Sequence, residues 1–327
     1  MSRRGSGRSQ QQPSTRDWRY IPSVSRSSGL EKDGDALTKA SVQLDYYKVI
    51  NDKLEAYLRE GRNSPDKQEK EENLLIMFRK LREGLISSKR ADAFAAQVYE
   101  TSAFLAIVAS SARNPAGPIL SHLLLDFPAE KVTESAPSTA QHFLCDAAFI
   151  YLLDLMVSEY PSQRAFRPAF SDLRRSNVVS QECQVYIERL SLLLRRNDFL
   201  SVSSTTRLES KSLAKVLKSP SRPPNPSPLF MEALQTLMER LRSKARDTAW
   251  LVIRSAYREA DVNASQEWLS RSLLLSSRSY ADGAADAGQV PVSQWFKDRA
   301  SMGETEALLR DGKTLDGRWT LRRPAIG

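Results

Sequence analysis

Gly312, Lys313 and Thr314 stand in the order that closes a phosphate-binding loop. Such a loop also needs a glycine five residues before the second one, a strand ahead and a helix behind, because backbone N–H groups and the helix N-terminus hold the phosphates. Ala307 occupies the first position and the flanking residues read as a hairpin, so nucleotide binding is not expected. The chain has two histidines, His122 and His142, and two cysteines, Cys145 and Cys183. His142 and Cys145 are three apart on an expected helix and share a face. Two ligands are too few for zinc, and Cys183 joins them only through folding. A cysteine nucleophile needs an exposed, activated thiolate, whereas Cys145 lies in a strongly apolar run. The carboxylates are scattered among Lys and Arg, the pattern of solvated helix faces. No catalytic residue, metal, cofactor or small-molecule substrate is expected, and the chain is not read as an enzyme.

The chain's 327 residues, 41% of them hydrophobic, supply a large core without disulfides. Two cysteines in apolar stretches read as reduced core residues and fit a cytoplasmic or nuclear home. No apolar run nears the roughly 20 residues that span a bilayer, so no membrane partner is expected. The basic start lacks the apolar segment of a secretory signal, and no helical stripe in it supports a transit peptide. The net charge is +9 and is uneven. Residues 1–29 hold six Arg and one Asp; residues 207–222 hold five cations and Glu209; residues 310–323 hold five cations and two Asp. Such segments attract phosphate backbones and acidic proteins alike.

The periodicity is helical from Val42 onward. Val42, Tyr46, Ile50, Leu54 and Leu58 form one stripe, and Leu74, Phe78, Leu81 and Leu85 the next. Phe94, Val98, Leu105 and Val108 follow, then a short helix from Ile119 to Leu125, an apolar run from Phe143 to Val157, and a stripe of Val179, Cys183, Ile187, Leu190 and Leu194. Ser64-Pro65 reads as a helix cap. Ser219 to Pro228 carries five prolines in ten residues and reads as loop. Ser219-Pro220 and Ser227-Pro228 have the form of proline-directed phosphorylation sites. Phe230 to Ala256 is helical again, Asn263 is an expected cap with Trp268, Leu269 and Leu273 inward, and Ser293 is an expected cap for a helix with Trp295 and Phe296. Two Asp-Gly turns between Leu309 and Leu321 mark a β-hairpin. The expected fold is mainly α: stacked, TPR-like helical hairpins followed by a C-terminal winged helix with a short β-hairpin. The expected divisions are a disordered Arg/Ser-rich tail at 1–35, a helical-repeat-like domain at 36–202, a Pro-rich flexible loop at 203–228 and a winged-helix-like domain at 229–327.

Several words resemble the PCI superfamily, whose members include subunits of the proteasome lid, the COP-nine signalosome and translation initiation factor three (its subunit k among them), and the related Sac-three/GANP proteins of mRNA export. Phe94 to Ala103 resembles a Sac-three-type "F-x-x-x-V-Y-E-x-x-A" helix. Val185 to Leu190, continuing to Arg196-Asn197-Asp198-Phe199, resembles the helix that ends before the winged helix, with Arg196 where Gly is common. Ala245 to Tyr257, followed by Trp268-Leu269, resembles an "R-x-x-A-L-x-x-I-x-x-A-Y" helix. Gly317-Arg318-Trp319 ahead of Pro324 resembles the closing segment of the small signalosome subunit. The resemblance covers roughly residues 70–324 and implies a non-catalytic scaffold subunit whose partners are other PCI-type subunits of a large complex. A Sac-three-type adaptor that meets RNA or DNA through the basic tail and wing is the alternative. Trp295, Lys313, Arg318, Trp319, Arg322 and Arg323 are the candidate interaction or nucleic-acid surface.

Overall fold

The computed structural model describes residues 37–60, 66–110, 116–127, 137–220, 222, 226–275, 291–310 and 313–322, with the backbone alone for 137–143, 309–310 and 313–315. The tail at 1–35, the Ser64-Pro65 cap, Arg323 and the side chains of His142 and Lys313 lie outside the described residues. The chain is mainly helical and divides into two compact units, the first ending at Arg90 and the second beginning at Ala91.

The first unit is a helical pair, α1 (Ala40–Arg59) against α2 (Lys67–Ser87). Val42, Tyr46, Ile50 and Leu54 are buried, as the four-residue recurrence requires, and Tyr57 takes the inward place expected of Leu58. Leu74, Phe78, Leu81 and Leu85 meet them. Gly84 permits the closest approach: a Cβ there would lie 2.7 Å from the Leu37 carbonyl oxygen. Buried Gln43 ties the ends of the pair, its amide donating to Leu37 O (2.8 Å) and Ser88 Oγ (3.0 Å) while its oxygen accepts from Arg90 (2.9 Å).

The second unit opens with α3 (Ala93–Val108), whose first turn is capped by Asp92 accepting from Ala95 N at 3.0 Å. Next come α4 (Ala116–Ser121), which runs into one π-helical turn at His122–Asp126, α5 (Pro137–Glu159), α6 (Phe166–Arg175) and α7 (Gln181–Arg195). The stretch 203–228 departs from the loop expected there. It contains the end of α8 (Phe199–Thr205) and all of α9 (Lys211–Leu217), capped by Ser210; the residues 206–210 between them and the described residues from Lys218 to Ser227 are non-helical. Leu213 and Val216 are buried, which gives α9 its reason to form.

Pro228 then sits at the first position of the 29-residue α10 (Pro228–Ala256), capped by Ser227 accepting from Phe230 N at 3.1 Å. At 1.5 Å per residue this helix is about 43 Å long. It packs against α3 and α5, and its far end enters a different core. That core joins Trp250, Ile253, Val262, Leu269, Leu273, Val292, Trp295, Phe296 and Leu321.

Around α10's far end lie β1 (Glu259–Asp261), α11 (Gln266–Ser272), α12 (Val292–Ser301), β2 (Thr305–Arg310) and β3 (Lys313–Leu321). The three strands form an antiparallel sheet ordered β1-β3-β2. Strand β1 escapes period reading because three residues cannot display alternation. Asn263 is not the cap of α11; Ser265 holds that position, and the turn before it is made by Asp261 accepting from Ala264 N at 2.9 Å. Pro291 takes the cap position of α12 in place of Ser293.

Strands β2 and β3 pair as far as Arg310↔Lys313, and the expected Asp311-Gly312 turn lies outside the described residues. The second Asp-Gly is not a turn between strands. It lies within β3, where the register slips between Ala307↔Trp319 and Leu309↔Thr314, and Gly317 adopts φ +73° there. A Cβ on Gly317 would also fall 2.4 Å from Asn263 Nδ2, a side chain free to swing aside. Gly317→Ala is therefore expected to cost about 1–2 kcal/mol, mostly from the left-handed backbone, read as a lowered urea midpoint with unchanged slope.

Candidate functional site

The residues expected to form a basic surface separate into three environments. Trp295, expected at the surface, is buried: it meets Trp250 edge-to-face at 4.7 Å, and Phe296 lies beside it. A helix carrying Val292, Trp295 and Phe296 turns those positions toward α10, so the apolar stripe overrides proximity to the wing. Trp319 is half-buried and packs on Phe296. Arg318 and Arg322 reach solvent, yet each faces a carboxylate of its own sheet: Arg318 Nε lies 3.4 Å from Asp261 Oδ2, and Arg322 pairs with Glu306. The Ala264 amide and the Arg318 guanidinium hold the Asp261 carboxyl below its ordinary range. The wing's described cations thus act within the sheet. No carboxylate, imidazole and thiol cluster fit to hold a metal occurs among the described residues. No helix among them is long and apolar enough to cross a membrane.

A site that composition did not reveal lies inside the helical part. Arg222 N donates to Ser219 O at 3.0 Å and so closes a turn, with Pro220 at the position whose fixed φ suits it. The Ser219 hydroxyl donates to Glu182 Oε2 at 2.8 Å. The turn sends Arg222 into the core, where its side chain is 2% exposed and its Nε donates to Asp146 on α5. Its guanidinium lies over the rings of Phe230 (4.5 Å) and Phe149 (5.3 Å). Its Nη1 and Nη2 find no acceptor among the described residues. The rings' negative faces take part of that load.

Buried Glu100 on α3 belongs to this cluster. Burial, and then the Asp146 carboxylate, push its carboxyl well above the ordinary 4.5, while Arg222 pulls the other way. Cys145 and Cys183 are free and buried in the same region, with thiols pushed up by burial.

The direction of the Glu100 shift sets a pH dependence. Below the ordinary carboxyl range both folded and unfolded chains hold the proton, and Glu100 costs nothing. As pH rises past about 4.5 the unfolded chain releases it and the folded chain does not, so stability falls until the folded carboxyl's own pKa is passed. Glu100→Gln removes that loss. The variant is expected to match the wild type near pH 4 and to exceed it at pH 7, measured by urea unfolding at both values.

The exposed side carries a different set of groups. Trp268, expected inward, is 40% exposed, and Tyr257, 51% exposed, meets it edge-on at 5.6 Å. Trp268, Leu200, Ala264, Ser265, Glu267 and Arg271 line an open pocket of about 350 Å³. Helix α11 is anchored from behind at its last carbonyls: Arg246 donates to Leu273 O (2.9 Å) and Leu274 O (3.1 Å), and buried Arg242 to Leu274 O (3.1 Å). Cations at a helix C-terminus complement its dipole, and Leu274 is held at φ +52° there. On α10, Leu251 and Val252 are 48% and 45% exposed. No protein-family model, curated protein or solved structure matches this chain.

Proposed function

We propose that this chain is a non-catalytic scaffold subunit of a multiprotein complex, of the signalosome, proteasome-lid or translation-initiation type, acting in the cytoplasm or nucleus. In this reading the helices of the second unit are stacked hairpins and the closing elements are a winged helix. The order helix, strand, helix, helix, hairpin, with the strands arranged β1-β3-β2, supports the second of these. The observation that carries the functional reading is the solvent-exposed pair Leu251 and Val252 on the far end of α10. Large aliphatic side chains exposed in one turn of a helix, with exposed Ala256 four residues after Val252, are what a partner's apolar surface covers. The alternative, a Sac-three-type adaptor on nucleic acid through the wing, is disfavoured by the carboxylates opposite Arg318 and Arg322.

The test compares tagged wild type with Leu251→Asp/Val252→Asp, both recovered from gently lysed, nuclease-treated cells. Wild type is expected in a high-mass assembly with stoichiometric partner subunits, and the double variant as a monomer with an unchanged melting temperature. A wild-type chain that elutes as a monomer would overturn the reading.

A further inference from the structure

A ridge of exposed cations leads to the Trp268 pocket. Between residues 189 and 218 there are seven cations and two carboxylates, Asp198 and Glu209. Arg189, Arg195, Arg196, Lys211, Lys215 and Lys218 are all exposed, and none has a carboxylate partner among the described residues. Glu188, the nearest acid on α7, is occupied by Arg174 at 3.0 Å, and Asp198 caps α8 by accepting from Ser201 N.

Helix geometry aligns these cations. Glu182, Arg189 and Arg196 recur every seven residues on α7 and so share one stripe. Glu182 is the residue to which Ser219, just past the end of α9, donates its hydrogen bond. Helix α9 packs on α7 and therefore runs along that stripe in the opposite direction. Lys211, Lys215 and Lys218, at intervals of four and three, present one solvent face of α9, opposite its buried Leu213 and Val216. The stripe from Glu182 to Arg196 is about 21 Å long. Its Arg196 end adjoins α8, whose Leu200 forms a wall of the pocket, and α8 packs on α11, which carries Trp268.

We propose that this ridge and pocket bind single-stranded RNA, with the phosphates along Arg196, Arg189 and the three lysines and one base on Trp268. The proposal does not rest on the scaffold reading. A line of uncompensated cations matches a chain of phosphates. An exposed indole, backed edge-on by Tyr257 and on a helix fixed by Arg242 and Arg246, offers a stacking platform that a duplex cannot use, because its bases are already stacked. RNA is the polynucleotide that presents long single strands in cells.

The experiment measures fluorescence anisotropy of labelled U20 RNA with the purified full chain at several salt concentrations. Wild type is expected to bind more tightly as salt falls, and more tightly than it binds an RNA duplex of equal length. Trp268→Ala is expected to weaken U20 about 5- to 150-fold, the range of one lost base stack. Trp268→Phe, which keeps an aromatic face, should stay within about 3-fold. Lys211→Ala/Lys215→Ala should make the slope of log K against log salt shallower by about 1.4. The six arginines of residues 1–29 are present in every variant, so their contribution is common to all. Equal affinity for duplex and single strand, or wild-type affinity and salt slope in both Trp268→Ala and the lysine pair, would overturn the proposal. Ultraviolet crosslinking in cells identifies the source: label removed by ribonuclease supports it, and label removed only by deoxyribonuclease overturns the assignment to RNA.

Discussion

Asp146→Ala is expected to destabilise the second unit by about 3–5 kcal/mol, the range for breaking a buried ion pair from one side. The cause is not the lost attraction alone. Arg222 is held 2% exposed between two phenylalanine rings, and two of its nitrogens already lack acceptors among the described residues. Removing Asp146 takes away the partner of the third and leaves a full charge in the core. Glu100 does not replace it cheaply, because burial holds its carboxyl in the neutral form. Arg222 then leaves the core, and the turn from Ser219 that carries it comes away from α5 and α10. At about 2–4 °C per kcal/mol for a unit of this size, the melting temperature should fall by about 6–20 °C. The double variant Asp146→Leu/Arg222→Met replaces the pair with apolar groups and should recover most of that loss. A fall of under 2 °C in Asp146→Ala, or a double variant no better than the single one, would show that the pair does not hold the turn in place.

The same cluster explains what was legible in the sequence and what was not. The buried helix stripes, the apolar run in α5 and the hairpin near residue 310 follow from local periodicity and turn chemistry, and each is present. Arg222 lies in the proline-rich stretch, whose composition predicts loop. Composition cannot say that Pro220 turns the chain so that the next arginine points inward, nor that its partner is 76 residues earlier. Trp268 could have been read better. Residues 268 and 269 are about 100° apart on a helix, so with Leu269 buried its neighbour faces elsewhere. Trp295 counts as an interaction residue only if it is exposed beside the basic wing; its α12 stripe with Val292 and Phe296 is the stronger local signal, and it faces the core. The cation ridge spans α7 and α9, and a hydrogen bond between Ser219 and Glu182 brings them side by side. A charge count along the chain could only mark its second half.

Glu304→Gln is expected to cost about 2–4 kcal/mol, because one carboxylate just before β2 serves three donors from two helices. Its Oε2 accepts from Trp250 Nε1 at 2.8 Å and from Arg299 at 3.2 Å, and its Oε1 accepts from Arg254 at 3.0 Å. The first and last of these donors are on α10, and Arg299 is on α12. Arg254 also donates to Arg322 O at 2.7 Å, just past the end of β3, so the carboxylate ties both helices to the hairpin. The amide offers one acceptor oxygen and two donors, so at least one guanidinium faces a donor where it faced an acceptor. Hydrogen bonds to charged groups contribute about 1.5–3 kcal/mol each, and a partner left unsatisfied while buried adds its desolvation. Arg254 is the costly one, at 9% side-chain exposure; Arg299, at 21%, is better hydrated. The readout is specific. Trp250 packs edge-to-face with Trp295 and Phe296, so losing its indole hydrogen bond changes near-ultraviolet circular dichroism before global unfolding. A double-mutant cycle of Trp250→Phe with Glu304→Gln isolates that single bond, because the cavity left by the smaller ring is common to both legs. A coupling energy equal to the whole Glu304→Gln loss would assign the carboxylate's contribution to the tryptophan alone.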